Sequence, residues 1–175
     1  MKFKYKILLA VAPAVFVLDQ ITKLAVLKWI EFGDRIPVIP GFFDLVHFRN
    51  TGAAFGILSD AHHSFRIPFF YVVAVVATVV LAFFYRSLPD RERLMPWAFS
   101  LVFAGIAGNI VDRIFLGSVV DFLSFHVGNA AFDFTLFGAA RHIPLEWPAF
   151  NVADSAITVA MALLVWSAIR GGRRT

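Results

Sequence analysis

The sequence contains no cysteine, which excludes disulfide bonds, thiolate metal sites and cysteine nucleophiles together. Charged residues are also scarce, at 16% of 175 positions, whereas 59% of the residues are hydrophobic and 21 are phenylalanine. Soluble domains usually carry about 25% charged residues. The composition therefore favours a membrane protein, and a chain of this length has room for about four bilayer crossings. We expect one integral-membrane domain over residues 1–175.

Four long apolar segments are separated by stretches that contain Pro, Gly, Asp and Arg. They cover about residues 7–29, 67–86, 95–116 and 149–169, and each is at least as long as the roughly 20 residues that cross a bilayer. The first resembles a secretory signal because lysines precede it. Pro13 and the continuing apolar pattern instead predict that it is an uncleaved transmembrane helix.

Basic residues flank these segments at the two termini and in the short turn between the second and third segments. They are Lys2, Lys4, Lys6, Arg86, Arg91, Arg93, Arg170, Arg173 and Arg174. The positive-inside rule places all three groups, and thus both termini, in the cytoplasm. The net charge of +4 therefore reflects membrane orientation, and we expect no nucleic-acid partner.

The two longer connections, residues 30–66 and 117–148, then lie outside the cytoplasm. In the first, apolar residues are interrupted by Pro37, Pro40 and Gly41, a pattern typical of short strands. In the second, the alternation of Val119, Asp121 and Leu123 predicts one face of a strand. The predicted fold is an all-α membrane protein with four transmembrane helices and a small extracytoplasmic β element.

Three of the spans carry polar side chains at helical spacing, which places each set on one helix face. The sets are Asn151, Asp154, Ser155 and Thr158; Gly105, Gly108, Asn109 and Asp112; and Asp19, Thr22 and Lys23. Ionisable groups are costly inside a bilayer, so they need partners or a function. We expect the three faces to converge near the extracytoplasmic end of the bundle.

This arrangement makes two carboxylates candidates for catalysis. Asp121 comes shortly after the third span, and Asp154 lies near the outer end of the fourth. A close pair of carboxylates shares one proton, so that one is an acid and the other a base that activates water. Such a site requires no metal or cofactor. The spacing alone leaves open whether the two residues meet.

Four short motifs, in order along the chain, make it resemble the lipoprotein signal peptidases, also called signal peptidases II. They are Asn50-Thr51-Gly52-Ala53-Ala54-Phe55, Gly108-Asn109-Ile110-Val111-Asp112-Arg113, Val120-Asp121-Phe122 and Phe150-Asn151-Val152-Ala153-Asp154. Asp19 and Lys23 in the first span fit the same family. The resemblance covers about residues 19–158.

The resemblance implies an aspartic endopeptidase of the bacterial inner membrane. Its substrates would be diacylglyceryl-modified prolipoproteins, cut immediately before the lipidated lipobox Cys. Asp121 and Asp154 would be the catalytic pair. The residues implied to support or line the site are Asp19, Lys23, Asn50, Gly52, Asn109, Arg113 and Asn151. Inhibition by the cyclic peptide globomycin is expected, and membrane lipids are expected partners.

Several alternatives remain open at this stage. Asp19 and Lys23, four residues apart on a helix, could simply neutralise each other. A small ion-coupled transporter would use the membrane acids as a relay, and a Ser–Lys peptidase would use Lys23 as its base. Asp112 is predicted to form a local ion pair with Arg113, although Arg113 could equally contact a lipid phosphate. We also predict an aromatic hairpin at the membrane surface over residues 127–148.

Overall fold

The computed structural model describes residues 1–52, 63–136 and 139–171. In these ranges four helices are long and apolar enough to cross a membrane. They are α1 (Phe3–Trp29), α2 (His63–Ser87), α3 (Met95–Leu116) and α4 (Val152–Gly171). The four predicted spans are therefore confirmed, and their limits differ from the prediction by a few residues.

Helix α3 lies at the centre of the bundle, because it packs against each of the other three helices. Small side chains make the contact with α4 close, since Ala98 and Val102 of α3 pack against Ala160. Gly108, near the other end of α3, lies against Asp19 of α1 and Ala153 of α4. Helices α3 and α4 are therefore antiparallel, and the polar faces of α1, α3 and α4 meet near the start of α4.

Four antiparallel strands form one sheet in the order β1-β2-β3-β4. They are β1 (Arg35–Ile39), β2 (Phe43–Asn50), β3 (Val119–Leu136) and β4 (Ala139–Phe150). The predicted strands in both connections are present, but β3 and β4 form a much longer hairpin than a small β element. The description all-α therefore understates the strand content of this fold.

Charged side chains connect the strands of the sheet. Arg35 on β1 donates to the carboxylates of Asp44 on β2, at 2.7 Å, and of Glu146 on β4, at 2.5 Å. Ser124 on β3 also donates to Glu146, at 2.7 Å. Burial alone would raise the pKa of Glu146, but the hydrogen bonds from Arg35 and Ser124 outweigh it and lower that pKa. These contacts link all four strands.

The sheet is attached to the bundle through a small apolar cluster. Val26 and Ile30 at the end of α1 pack against Val120 and Phe122 of β3. His47 of β2 is buried, and its Nδ1 lies 2.8 Å from the carbonyl oxygen of Ile30. Because β3 is held against α1 in this way, Asp121, between Val120 and Phe122, lies directly above the ends of the helices.

Candidate active site

Asp121 is buried on β3, where only 3% of its surface is exposed. The side chain of Asn151 donates to its Oδ1 at 2.8 Å, and the side chain of Asn50 also hydrogen-bonds it. Burial disfavours the ionised form, and the nearby charge of Asp154 adds to this effect, so the pKa of Asp121 is raised to about 7. The two asparagines offset only part of that shift. This carboxyl group can therefore hold a proton near neutral pH.

Asp154 lies in the first turn of α4. Its backbone N–H donates to Oδ1 of Asn151 at 2.9 Å, and its own Oδ2 accepts the N–H of Asn151 at 3.3 Å. This reciprocal pair is the capping box of a helix N-terminus, formed here by Asn and Asp. The other oxygen, Oδ1, accepts the side-chain N–H of Asn109 at 2.8 Å. The Asp154 carboxylate is thus held from two directions.

Asn151 is completely buried and connects the two acids. Its Nδ2 donates to Asp121, and it also lies 3.3 Å from the carbonyl oxygen of Val120 and 3.2 Å from Oδ1 of Asn109. Its Oδ1 and backbone N–H meanwhile hold Asp154. The two predicted catalytic residues, far apart in sequence, are therefore brought to opposite sides of a single side chain.

Lys23, from α1, lies below this pair and is 2% exposed. Its Nζ is 2.9 Å from Oδ2 of Asp19, 3.0 Å from Oδ2 of Asp112 and 3.1 Å from Oδ1 of Asn109. The predicted pairing of Asp19 with Lys23 is present. The predicted ion pair of Asp112 with Arg113 is wrong, because Asp112 points across the helix interface and pairs with Lys23.

Arg113 connects α3 to the segment that follows β2. It donates to the carbonyl oxygen of Gly52 at 2.8 Å, and its guanidinium lies over the ring of Phe70, 4.3 Å from the centroid. The N–H of Gly52 in turn donates to Oδ1 of Asn50 at 3.0 Å, a local turn of the kind that Asn favours. The rest of that predicted motif, residues 53–55, lies outside the described residues.

A cavity of about 580 Å³ opens beside Asp154. It lies between the last residues of β4 and one face of α4, and its lining is mostly apolar. The lining includes Asn50, Asn109, Arg113, Trp147, Phe150, Asp154, Ile157 and Val159. Three of the predicted supporting residues thus border a space large enough for a peptide segment and next to a candidate catalytic carboxylate.

Gln20 is a site residue that the sequence interpretation missed. Its Nε2 lies 3.1 Å from Oδ2 of Asp19 and 3.3 Å from Oδ1 of Asp112. Thr22, predicted to share the polar face, instead donates to backbone carbonyls of its own helix. The available signal for Gln20 was its polar amide within an apolar span, next to Asp19.

Comparisons with known proteins show the family to which the chain belongs. The family model for signal peptidase (SPase) II matches residues 11–170. The lipoprotein signal peptidase of Geobacter sulfurreducens is 43% identical over 174 residues, covering 99% of this chain and 98% of the relative. That of Syntrophotalea carbinolica is 42% identical over 171 residues, covering 98% and 96%. A solved bacterial membrane enzyme, determined by the in meso method, matches with a TM-score of 0.80 at 30% identity, covering 99% of this chain and 94% of that one.

Proposed function

The chain belongs to the signal peptidase II family, and we propose that it is an aspartic endopeptidase in which Asp121 and Asp154 are the catalytic pair. Its substrates are prolipoproteins that carry a diacylglyceryl group on the lipobox Cys, and it cuts immediately before that Cys. The observation that carries the proposal is that Asn151 joins the buried Asp121 to the partly buried Asp154 beside an apolar cavity. No cofactor takes part in this mechanism.

The two acids have different environments, which supports different roles. Asp154 accepts an N–H on each oxygen and lies at the N-terminus of α4, where the helix dipole favours a negative charge. Asp121 is buried in the sheet, and its pKa of about 7 lets it keep a proton. We therefore assign Asp154 as the base and Asp121 as the acid.

In this mechanism, Asp154 takes a proton from a water molecule while the water oxygen adds to the scissile carbonyl carbon. Asp121 donates its proton to the carbonyl oxygen, so a neutral tetrahedral intermediate forms. The C–N bond then breaks: the intermediate returns a hydroxyl proton to Asp121, and Asp154 gives its proton to the amine of the lipidated Cys. The resting state of both acids is thereby restored, and no covalent enzyme adduct forms.

The charge distribution supports a defined membrane orientation. Lys2 pairs with Asp90 at 3.0 Å, and Arg93 lies over the ring of Phe3, so the start of α1 adjoins the α2–α3 turn. These basic ends lie opposite to the sheet. By the positive-inside rule they are cytoplasmic, and the candidate site is near the outer face of the bacterial inner membrane.

The position of the cavity suggests how the substrate enters. Ile157 and Val159 of α4 contribute apolar lining beside the candidate base, within a helix that can span the bilayer. A signal-peptide helix can therefore approach sideways while the diacylglyceryl chains remain among the lipids. Trp147 and Phe132 of the hairpin are 61% and 62% exposed, as expected for side chains at the membrane surface. Globomycin, a cyclic peptide, would compete for this space.

The contacts of Lys23 weigh against the two alternative functions. All three N–H donors of its ammonium group have oxygen partners, those of Asp19, Asp112 and Asn109. Lys23 is therefore poorly suited to act as the base of a Ser–Lys peptidase. The same residues form one cluster near the start of α4 rather than a relay across the membrane, which disfavours an ion-coupled transporter.

The test is cleavage of a diacylglyceryl-modified prolipoprotein by purified wild type, Asp121→Asn and Asp154→Asn. Each substitution keeps the side-chain shape but removes the acid or base, so activity should fall by about 100- to 10,000-fold. Asp34→Asn, which changes an exposed acid before β1, is the matched control and should cut like wild type. Thermal melting in detergent establishes that the variants are folded. Substantial cleavage by either folded dyad variant would refute the aspartic mechanism.

A further inference from the structure

The ions below the candidate dyad form a set that we name the ion triplet: Asp19, Lys23 and Asp112. The three side chains are 0%, 2% and 4% exposed, and the ammonium nitrogen lies 2.9 and 3.0 Å from the two carboxylates. With both acids ionised, the triplet carries a net charge of −1. Burying such a group is costly, and apolar replacements of buried ion clusters are often neutral or stabilising. Stability alone therefore gives little reason to keep it.

Each carboxylate of the ion triplet also holds a backbone N–H next to a candidate catalytic residue. Oδ1 of Asp19 accepts the N–H of Ala153 at 2.8 Å, directly before Asp154. Oδ2 of Asp112 accepts the N–H of Val120 at 3.0 Å, directly before Asp121. The two acids that grip Lys23 are thus attached, one each, to the two chain segments that carry the dyad.

Gln20 completes this arrangement from the same turn of α1. Oδ1 of Asp112 accepts its side-chain N–H at 3.3 Å, and Oδ2 of Asp19 accepts it at 3.1 Å. A buried carboxylate oxygen without a donor is costly. Gln20 also opposes the repulsion between the two acids, because one amide group donates to both. If Gln20 is removed, Asp19 and Asp112 remain connected through Lys23.

We propose that the ion triplet and Gln20 are a positioning device that sets the spacing of the Asp121 and Asp154 carboxylates, with Gln20 and Asp112 as further positioning residues for the reaction. The inference rests on the proposed function. Lys23 fixes the separation of Asp19 and Asp112, and these fix the start of α4 and the start of β3. Lys23 also orients Asn109, which donates to Asp154. A change in the ion triplet therefore alters how strongly the two catalytic carboxylates repel each other.

The experiment compares wild type with Gln20→Met, which removes the amide donors but keeps a side chain of similar length. Small displacements of catalytic groups lower rates by up to about 100-fold. We expect kcat to fall about 10- to 100-fold with KM within about twofold. We also expect the alkaline limb of the pH–rate profile to move to lower pH, since more distant carboxylates repel each other less. The melting temperature should fall somewhat, because Oδ1 of Asp112 loses its donor, so cleavage is measured well below the melting transition.

Thr22→Val is the matched control, because the hydroxyl that it removes from the same turn donates to the backbone carbonyl oxygens of Leu18 and Asp19 rather than to the charged side chains of the ion triplet. It should leave kcat and the pH profile unchanged. Asp112→Asn provides a second variant: it keeps an acceptor for Val120 but weakens the pairing with Lys23, so it should shift the same limb in the same direction.

Folded Gln20→Met and Asp112→Asn enzymes with the wild-type kcat and pH profile would overturn the inference. A loss of activity that follows the loss of melting temperature, with an unmoved alkaline limb, would also overturn it by indicating a merely structural role. Neither result would by itself refute the dyad assignment. That assignment fails separately, if folded Asp121→Asn or Asp154→Asn retains cleavage.

Discussion

Asn151 illustrates at the residue scale how one side chain serves two purposes. Its Oδ1 caps the N-terminus of α4, while its Nδ2 donates to Asp121. An amide suits this position because it has both a donor and an acceptor. An aspartate there could cap the helix but would place a third carboxylate beside the dyad, and a serine could not reach both partners. The residue type therefore follows from the two contacts together.

The raised pKa of Asp121 leads to a prediction for pH dependence. The acid must be protonated to donate to the scissile carbonyl, and its pKa in the free enzyme is about 7. We expect kcat/KM to fall about tenfold for each pH unit above the alkaline limb, near pH 7. Cleavage rates of wild type in detergent between pH 5 and pH 9 provide the measurement. A profile that stays flat to pH 9 would contradict the assignment of Asp121 as the acid.

The same shift has a consequence for stability that is independent of activity. Between pH 3.8, the ordinary pKa of an aspartate side chain, and about pH 7, Asp121 binds more protons in the folded than in the unfolded protein. The free energy of unfolding therefore decreases as pH rises through this range, by about 1.4 kcal/mol for each unit of pKa shift. Asp121→Asn has no such proton to lose, so melting of the variant should depend less on pH than melting of wild type.

At the scale of the elements, two glycines determine how closely α3 approaches its neighbours. A Cβ on Gly105 would lie 2.7 Å from the carbonyl oxygen of Ala153 and 2.5 Å from Cγ1 of Ile157. A Cβ on Gly108 would collide with the carboxylate of Asp19. The backbone of α3 therefore lies in contact with the backbone of α4 at Gly105 and with the Asp19 side chain of α1 at Gly108, as in other small-residue membrane interfaces.

We predict that Gly105→Ala and Gly108→Ala each destabilise the protein by about 1–3 kcal/mol, the usual cost of overpacking. Helix propensity alone predicts the opposite sign, because Ala is favoured over Gly by about 1 kcal/mol in a helix. Gly108→Ala should also reduce cleavage more strongly, since it displaces Asp19 from Ala153 and Lys23. Thermal melting and cleavage assays check both effects.

Ala107→Gly, at a partly exposed position of the same helix, is the control for this prediction. It should destabilise the protein by about 1 kcal/mol through propensity alone and leave the activity of the folded enzyme intact. If Gly105→Ala and Gly108→Ala instead raise the melting temperature, the helices have room to separate and the close approach is not required.

At the scale of the whole molecule, the basic end is organised by buried contacts as well as by charge. Lys4 is 5% exposed, and its Nζ lies 2.8 Å from the carbonyl oxygen of Arg86 and 2.7 Å from that of Leu88. Tyr85 donates to the carbonyl oxygen of Lys4. A cation at the carbonyl end of α2 interacts favourably with the negative end of the helix dipole. The first helix is thus fastened to the second at this end.

The absence of cysteine allows a direct test of membrane orientation. Single substitutions Ile36→Cys, on exposed β1, and Asp90→Cys, in the α2–α3 turn, create unique thiols on opposite ends of the molecule. Because acidic residues contribute little to orientation, replacing Asp90 preserves the topological signal. In intact spheroplasts, a membrane-impermeant maleimide should label position 36 at once and position 90 only after lysis. The reverse pattern would place the candidate site in the cytoplasm.

The helices were predictable because each depends on a local property. About 20 apolar residues are needed to cross a bilayer, and the third predicted span, residues 95–116, coincides with α3 (Met95–Leu116). The length of the β3–β4 hairpin was underestimated. The two strands continue to pair beyond an irregularity in their register between His126 and Ala131. Such pairing depends on residues distant along the chain, which local alternation does not specify.

The ordered motifs made Asp121 and Asp154 candidates for the catalytic pair, and helical spacing predicted the polar faces of the spans, because residues three and four apart share a helix face. Which groups pair across those faces depended on the tertiary structure. Asp112 contacts Lys23 rather than the adjacent Arg113, and Gln20 donates to both acids of the ion triplet. The direction of a side chain between packed helices is set by the helix that faces it, and the sequence of a single helix does not contain that information.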